Sequence, residues 1–143
     1  MRLTVDDWSM KSLQPDPGAE MCMRTLGKLC EELGPDSVDE YILMFKSLWP
    51  SRVARLRDAL SSNDRDMGED AALSLRSSAT MAGAYELAGL ALQLQQAFRE
   101  GTVGARTELV RSIEYSGKMV LRVLETPGFT ERALRTYRES VSA

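Results

Sequence analysis

The chain has 143 residues, 43% of them hydrophobic, and a formal charge of −3 from 18 basic and 21 acidic side chains. That length suits one domain with one core. The acidic balance, with Lys and Arg spread rather than clustered, argues against nucleic acid and against an anionic membrane surface as partners.

The first residues, MRLTVDDWSMKSLQPDPG, carry two prolines, Asp6 and Asp7, and isolated apolar groups at Trp8, Met10 and Leu13. Asp6 and Asp7 stand where a signal peptide needs an apolar stretch. No apolar run approaches the ~20 residues that span a bilayer. A cytoplasmic protein is therefore expected, with residues 1–18 as an extension ahead of a helical domain over 19–143.

The spacing of Cys22, Leu26, Leu29, Cys30 and Leu33 predicts a first helix, ended by Gly34 and Pro35. Two cysteines eight residues apart on one helix stand about 12 Å apart, beyond the reach of a disulfide. Both are expected to be small buried apolar groups. Ser37 and Glu40 form a capping-box pattern. Tyr41, Met44, Phe45 and Leu48 then make a core stripe that continues through Val53, Leu56 and Leu60. Pro50 interrupts it, so a kinked helix or two short helices are expected.

SSNDRD, from Ser61 to Asp66, reads as a turn and a helix start. The next helix should run from about 64–67 to Ala82, with Gly83 marking a break or a close contact. Leu87, Leu90, Ala91, Leu94 and Phe98 define a further helix that Gly101 stops. Leu109, Ile113, Val120 and Leu124 point inward from another, ended by TPG. Phe129 and Leu134 flank Thr130 as a hydrophobic staple would, which predicts a short final helix over about 131–140. No period-2 alternation and no hairpin signal is present. The eight methionines read as core filler. The fold class is all-α: an antiparallel four-helix bundle with additional short N- and C-terminal elements.

The chemistry is constrained by composition. The chain contains no histidine, which removes the commonest general base and metal ligand and excludes a Ser-His-Asp or Cys-His site. A zinc site would need carboxylates or the two separated thiols. No metal and no cofactor is expected, and the protein does not read as an enzyme.

One residue breaks the pattern of the 64–82 helix. At ~100° per residue, Ala71, Leu75, Ser78, Ala79 and Ala82 share one face. Leu73 falls on the other side, among Glu69, Asp70, Arg76, Ser77 and Thr80. An apolar residue there is bare, covered by Trp8, Met10 or Leu13 of the extension, or a contact for a partner. Arg76 is by default a solvated charge or the ion-pair partner of Asp70 or Glu69. Ser74 and Ser78 can bond back to the carbonyl one turn earlier.

The segment LSLRSSATMAGA, Leu73 to Ala84, resembles the motif of the histidine phosphotransfer (HPt) family. That motif runs roughly His-x-Leu-Lys-Gly-Ser-Ala, then Gly-Ala, then Leu-Glu or Leu-Gln on the next helix. Leu75, Ser78, Ala79, Gly83 and Ala84 match as they stand. Arg76 replaces the lysine and Ser77 the glycine, while Leu87, Leu90, Leu94 and Gln95 suit the following helix. YILMFKSLWPSRVARLRDAL resembles the family's segment upstream, and the likeness covers about Met21 to Glu125.

The resemblance implies a helical bundle that meets a response-regulator receiver domain or a histidine kinase in two-component signalling. It places Leu73 at the phosphoacceptor position. A leucine has no lone pair to accept a phosphoryl group, so the implied protein is a pseudo-HPt member that binds its partner without accepting phosphate. Leu73, Arg76, Ser77, Thr80, Asp70 and Gln95 form the implied docking surface, with Gln95 at its rim. Two alternatives stay open: a helical scaffold that binds a partner through another face, and phosphate acceptance by Asp70, Ser74 or Ser77, which lack an activating base.

Overall fold

The structure, a computed structural model, describes residues 17–142. Within them the chain is helical throughout: α1 (Pro17–Leu33), α2 (Pro35–Ser62), α3 (Arg65–Met81), α4 (Tyr85–Glu100), α5 (Arg106–Leu124) and α6 (Phe129–Ser142). Consecutive helices α2 to α5 pack against one another and α2 closes onto α5, while α1 lies along α6. The arrangement is a helical bundle around one core, whose largest fully buried side chains include Leu26, Leu56, Leu75, Leu87, Leu94, Phe98 and Ile113. Trp8, Met10, Leu13 and the contacts expected of them lie outside the described residues.

The breaks between helices follow from local chemistry. Gly34 ends α1 with φ +92°, a conformation open to glycine, and Pro35 opens α2 at a position where its missing amide has no helical partner. Asp64 caps α3 by accepting a hydrogen bond from the Met67 amide. Gly83 sits between α3 and α4 with φ +74°, and a Cβ there would stand 2.6 Å from the Thr25 Cβ of α1. Only glycine allows that turn to lie so close to α1.

Several expectations are corrected. Ser37 is inside α2 rather than at its start, and its hydroxyl donates to the Leu33 carbonyl; no side chain caps this helix. The capping-box reading fails because the Gly34-Pro35 break had already started the helix. Thr130 likewise lies inside α6, where it is buried and donates to Asp39 Oδ1 at 2.6 Å. It therefore ties α6 to α2 instead of capping a helix.

Helix α2 runs unbroken through Pro50. Pro50 is on the exposed side, where water can satisfy the carbonyl that loses its amide partner. Its buried face is Val38, Ile42, Phe45, Trp49, Leu56 and Ala59. Met44 and Leu48, expected inside, are 63% and 40% exposed. The rest of the expected stripe holds: Phe45 and Leu56 are buried, and Tyr41, Val53 and Leu60 pack at the core's edge. The run YILMF is apolar on every side, so periodicity alone cannot choose which of its residues turn outward.

Among the described residues, most methionines are not core filler. Met21, Met44, Met81 and Met119 are exposed, and Met23 and Met67 pack at the core's edge. Glycines let the helices approach closely and seat large rings between them. A Cβ on Gly27 would overlap the Ala133 carbonyl oxygen, one on Gly68 the Phe98 ring, and one on Gly117 the Trp49 ring. Cys22 and Cys30 are buried on α1 as expected, and neither is in a disulfide. Burial, with Asp39 nearby, pushes the Cys30 thiol up. Among the described residues no helix is long and apolar enough to cross a membrane.

Candidate functional site

Helix α3 presents two unlike faces. Gly68, Ala71, Ala72, Leu75 and Ala79 are buried, small or branched, and packed against α4 and α2. Asp70, Leu73, Arg76, Ser77 and Thr80 all lie on the exposed side. Leu73 is 44% exposed, so it points outward as the ~100° periodicity requires.

The polar groups around Leu73 are partly engaged. Asp70 accepts from Arg55 of α2 at 2.9 Å, and Glu69 accepts from Arg99 of α4 at 2.8 Å. Of the two default readings for Arg76, the structure leaves the solvated charge: both carboxylates are paired with cations from neighbouring helices. Ser77 Oγ donates to the Leu73 carbonyl and Thr80 Oγ1 to the Arg76 carbonyl. These back-bonds hold both hydroxyls against the helix. Ser74 and Ser78, expected to make such bonds, instead accept from Arg52 of α2.

Gln95 does not belong to this surface. It is 6% exposed, and its Oε1 has no hydrogen-bond partner. Helix α4 is flanked by α3 on one side and α5 on the other, so a wide arc of it is covered, from Leu87 and Ala88 to Ala97 and Phe98. A solvated amide or rim contact is ruled out at this position.

The structure adds two residues that the sequence reading missed. Leu48 and Arg52 stand one turn apart on the α2 edge that faces α3. Tyr41, on the same edge, donates to the Ser78 carbonyl at 2.5 Å. Burial pushes the Tyr41 hydroxyl's pKa up, against the lowering effect of its bond to Ser78. Arg52 is half-buried and its terminal nitrogens reach Ser74 Oγ at 3.3 Å and Ser78 Oγ at 3.0 Å. The surface around Leu73 thus extends from α3 onto α2. The available signal was the position of Leu48 and Arg52 at helical spacing from Tyr41, obscured because Leu48 was assigned to the core.

No set of three or more His, Cys, Asp or Glu side chains that could hold a metal ion occurs among the described residues. The chemistry on offer is that of a contact surface: an exposed hydrocarbon, two cations without carboxylate partners, and small hydroxyl residues on a rigid helix.

The described residues thus form an all-helical bundle with a mixed apolar and cationic patch on the outer face of α3. The family model described as the Hpt domain matches residues 40–136, and the chain belongs to that family. The match begins inside α2 and extends into α6, so it lies further along the chain than the Met21 to Glu125 likeness read from the motif. Hpt domains are phosphotransfer modules of phosphorelay signalling that interact with receiver domains or histidine kinases. No curated protein and no solved structure matches the chain.

Proposed function

We propose that this chain is a pseudo-phosphotransfer protein, which docks on a receiver domain or a histidine kinase through the outer face of α3 and accepts no phosphate. One observation carries this reading. The position where the family motif presents a histidine is Leu73, an exposed hydrocarbon, in a chain with no histidine anywhere. The nucleophile is gone, but the surface that would meet the partner remains: small Ser77, cationic Arg76 and outward Leu73. A partner that covers Leu73 removes its side chain from water, and complete burial of a leucine stabilises by ~1.5–3 kcal/mol. Such a protein competes with a phosphate-accepting relative for the same partner, or holds a kinase in one state. A cytoplasmic setting fits that role. In this reading residues 1–18 remain an extension ahead of the 19–143 domain.

The test mixes the chain with receiver domains from its own organism that carry labelled phosphoryl groups. Binding without transfer is expected. Label on this chain overturns the proposal, whichever residue carries it.

A second reading has its own support. A cavity of about 460 Å³ lies between the start of α1, the start of α4 and α5, lined by Tyr85, Tyr115, Met119 and Val120 among others. Tyr85 and Tyr115 are exposed, and tyrosine and methionine are enriched where proteins meet. A scaffold working through this groove keeps its partner when Leu73 is replaced by Glu, whereas docking through α3 loses it.

A further inference from the structure

The guanidinium of Arg52 differs from the other arginines that reach into the fold. Arg65 donates to the Phe98 and Arg99 carbonyls, and Arg106 to Asn63 Oδ1 and the Ala97 carbonyl while stacking 4.5 Å over the Phe98 ring. Those partners are oxygens that only accept. Arg52 meets two serine hydroxyls instead, at Ser74 and Ser78. A hydroxyl that accepts still carries its own proton, and neither serine donates to any acceptor in the described structure. Like Arg106, Arg52 also has no carboxylate partner there and a buried Nε with no hydrogen-bond partner, so its two hydroxyl partners are what set it apart.

The result is a cluster rich in donors and lacking an anion. A half-buried cation without a counter-charge is costly, and burial acts against the charge of Arg52. Yet the cluster stands at the edge of the exposed face: Ser74 is the residue after Leu73, and Leu48, one turn before Arg52, is 40% exposed. An apolar contact and a cation side by side suit a protein partner with an acidic side chain beside an apolar one.

We infer that Arg52, with the hydroxyls of Ser74 and Ser78, is an anchor for an aspartate or glutamate of the protein that docks on Leu73. This deepens the docking reading proposed above and rests on it. The partner's carboxylate accepts from the terminal guanidinium nitrogens and from the freed serine protons. Arg52 thereby sets which partners fit, since a neutral or basic residue at that point leaves the cation unmatched.

The experiment titrates a receiver domain or a histidine kinase from the same organism against the full chain and against Arg52→Gln, Arg52→Lys and Leu73→Glu, at low and at moderate salt. Arg52→Gln is expected to weaken binding about tenfold and to flatten its salt dependence. Arg52→Lys, which keeps the charge but not the planar fork, is expected to lose about threefold. Thermal melting of both variants confirms that they fold. Unchanged affinity for Arg52→Gln, with binding lost for Leu73→Glu, overturns the anchor and leaves the docking reading standing. Absence of binding by the unaltered chain to every receiver domain and every histidine kinase tested overturns both.

Discussion

Leu73 and Leu75 are separated by one residue on α3, yet the first is 44% exposed and the second fully buried. The step between them turns the helix by about 200°. Leu75 belongs to the core that holds α3 against its neighbours, and its shape is dictated by what surrounds it. Leu73 contributes little to that core, so nothing in the packing requires a leucine there. The docking role proposed above rests on that difference, because a leucine that the core does not require is open to a surface contact.

The comparison breaks most visibly in stability. Leu75→Ala should cost about 3 kcal/mol, the usual loss when a fully buried leucine leaves a cavity. Leu73→Ala should change stability by no more than about 0.5 kcal/mol. Denaturant unfolding of both variants measures the difference, and equal losses contradict the assignment of inner and outer faces.

A second contrast sharpens the same point from the direction of added bulk. Gly117→Ala puts a methyl group into the Trp49 ring, and overpacking should outweigh the roughly 1 kcal/mol gained in helix propensity, for a net loss of about 1–2 kcal/mol. Ser77→Ala, on the exposed face, adds no such overlap and should melt within about 2 °C of the unaltered chain. Differential scanning calorimetry on the pair reads this directly.

The smallest expected effect concerns one ion pair. Arg57 donates to Glu114 at 2.5 Å, linking α2 to α5, and this bond holds the Glu114 carboxyl below its ordinary value of 4.5. A lowered folded-state pKa means a contribution that is present above the unfolded value and fades as pH falls through the folded one. Glu114→Gln should therefore lower the melting temperature by no more than about 2–3 °C near neutral pH. The difference from the unaltered chain should shrink as pH falls below the ordinary value of 4.5 and be gone once the folded-state carboxyl is itself protonated. A gap that persists in acid assigns the loss to packing rather than to charge.

Much of the site could be read along the chain because a helix has a fixed period. The direction of Leu73, the ends of α3 and the sharing of one face by Asp70, Arg76, Ser77 and Thr80 all follow from local geometry. Gln95 could not be read in the same way. Its spacing was compatible with a rim position, and only the presence of α3 and α5 on both sides of α4 buries it. Arg76 shows the same limit: the acids nearest to it in sequence were claimed by Arg55 and Arg99 from other helices.

The order of residues by itself determined that this chain forms helices, roughly where each one stops, and that no imidazole is present to carry a phosphoryl group. Those are matters of composition, of glycine and proline at breaks, and of a period set by the backbone. The tertiary structure decided that Met44 and Leu48 of α2 turn outward, that Gln95 is covered, and that Arg52 sits between two hydroxyls without a carboxylate. Those depend on which arc of each helix its neighbours cover, and a helix that is apolar on several sides holds no local record of that choice.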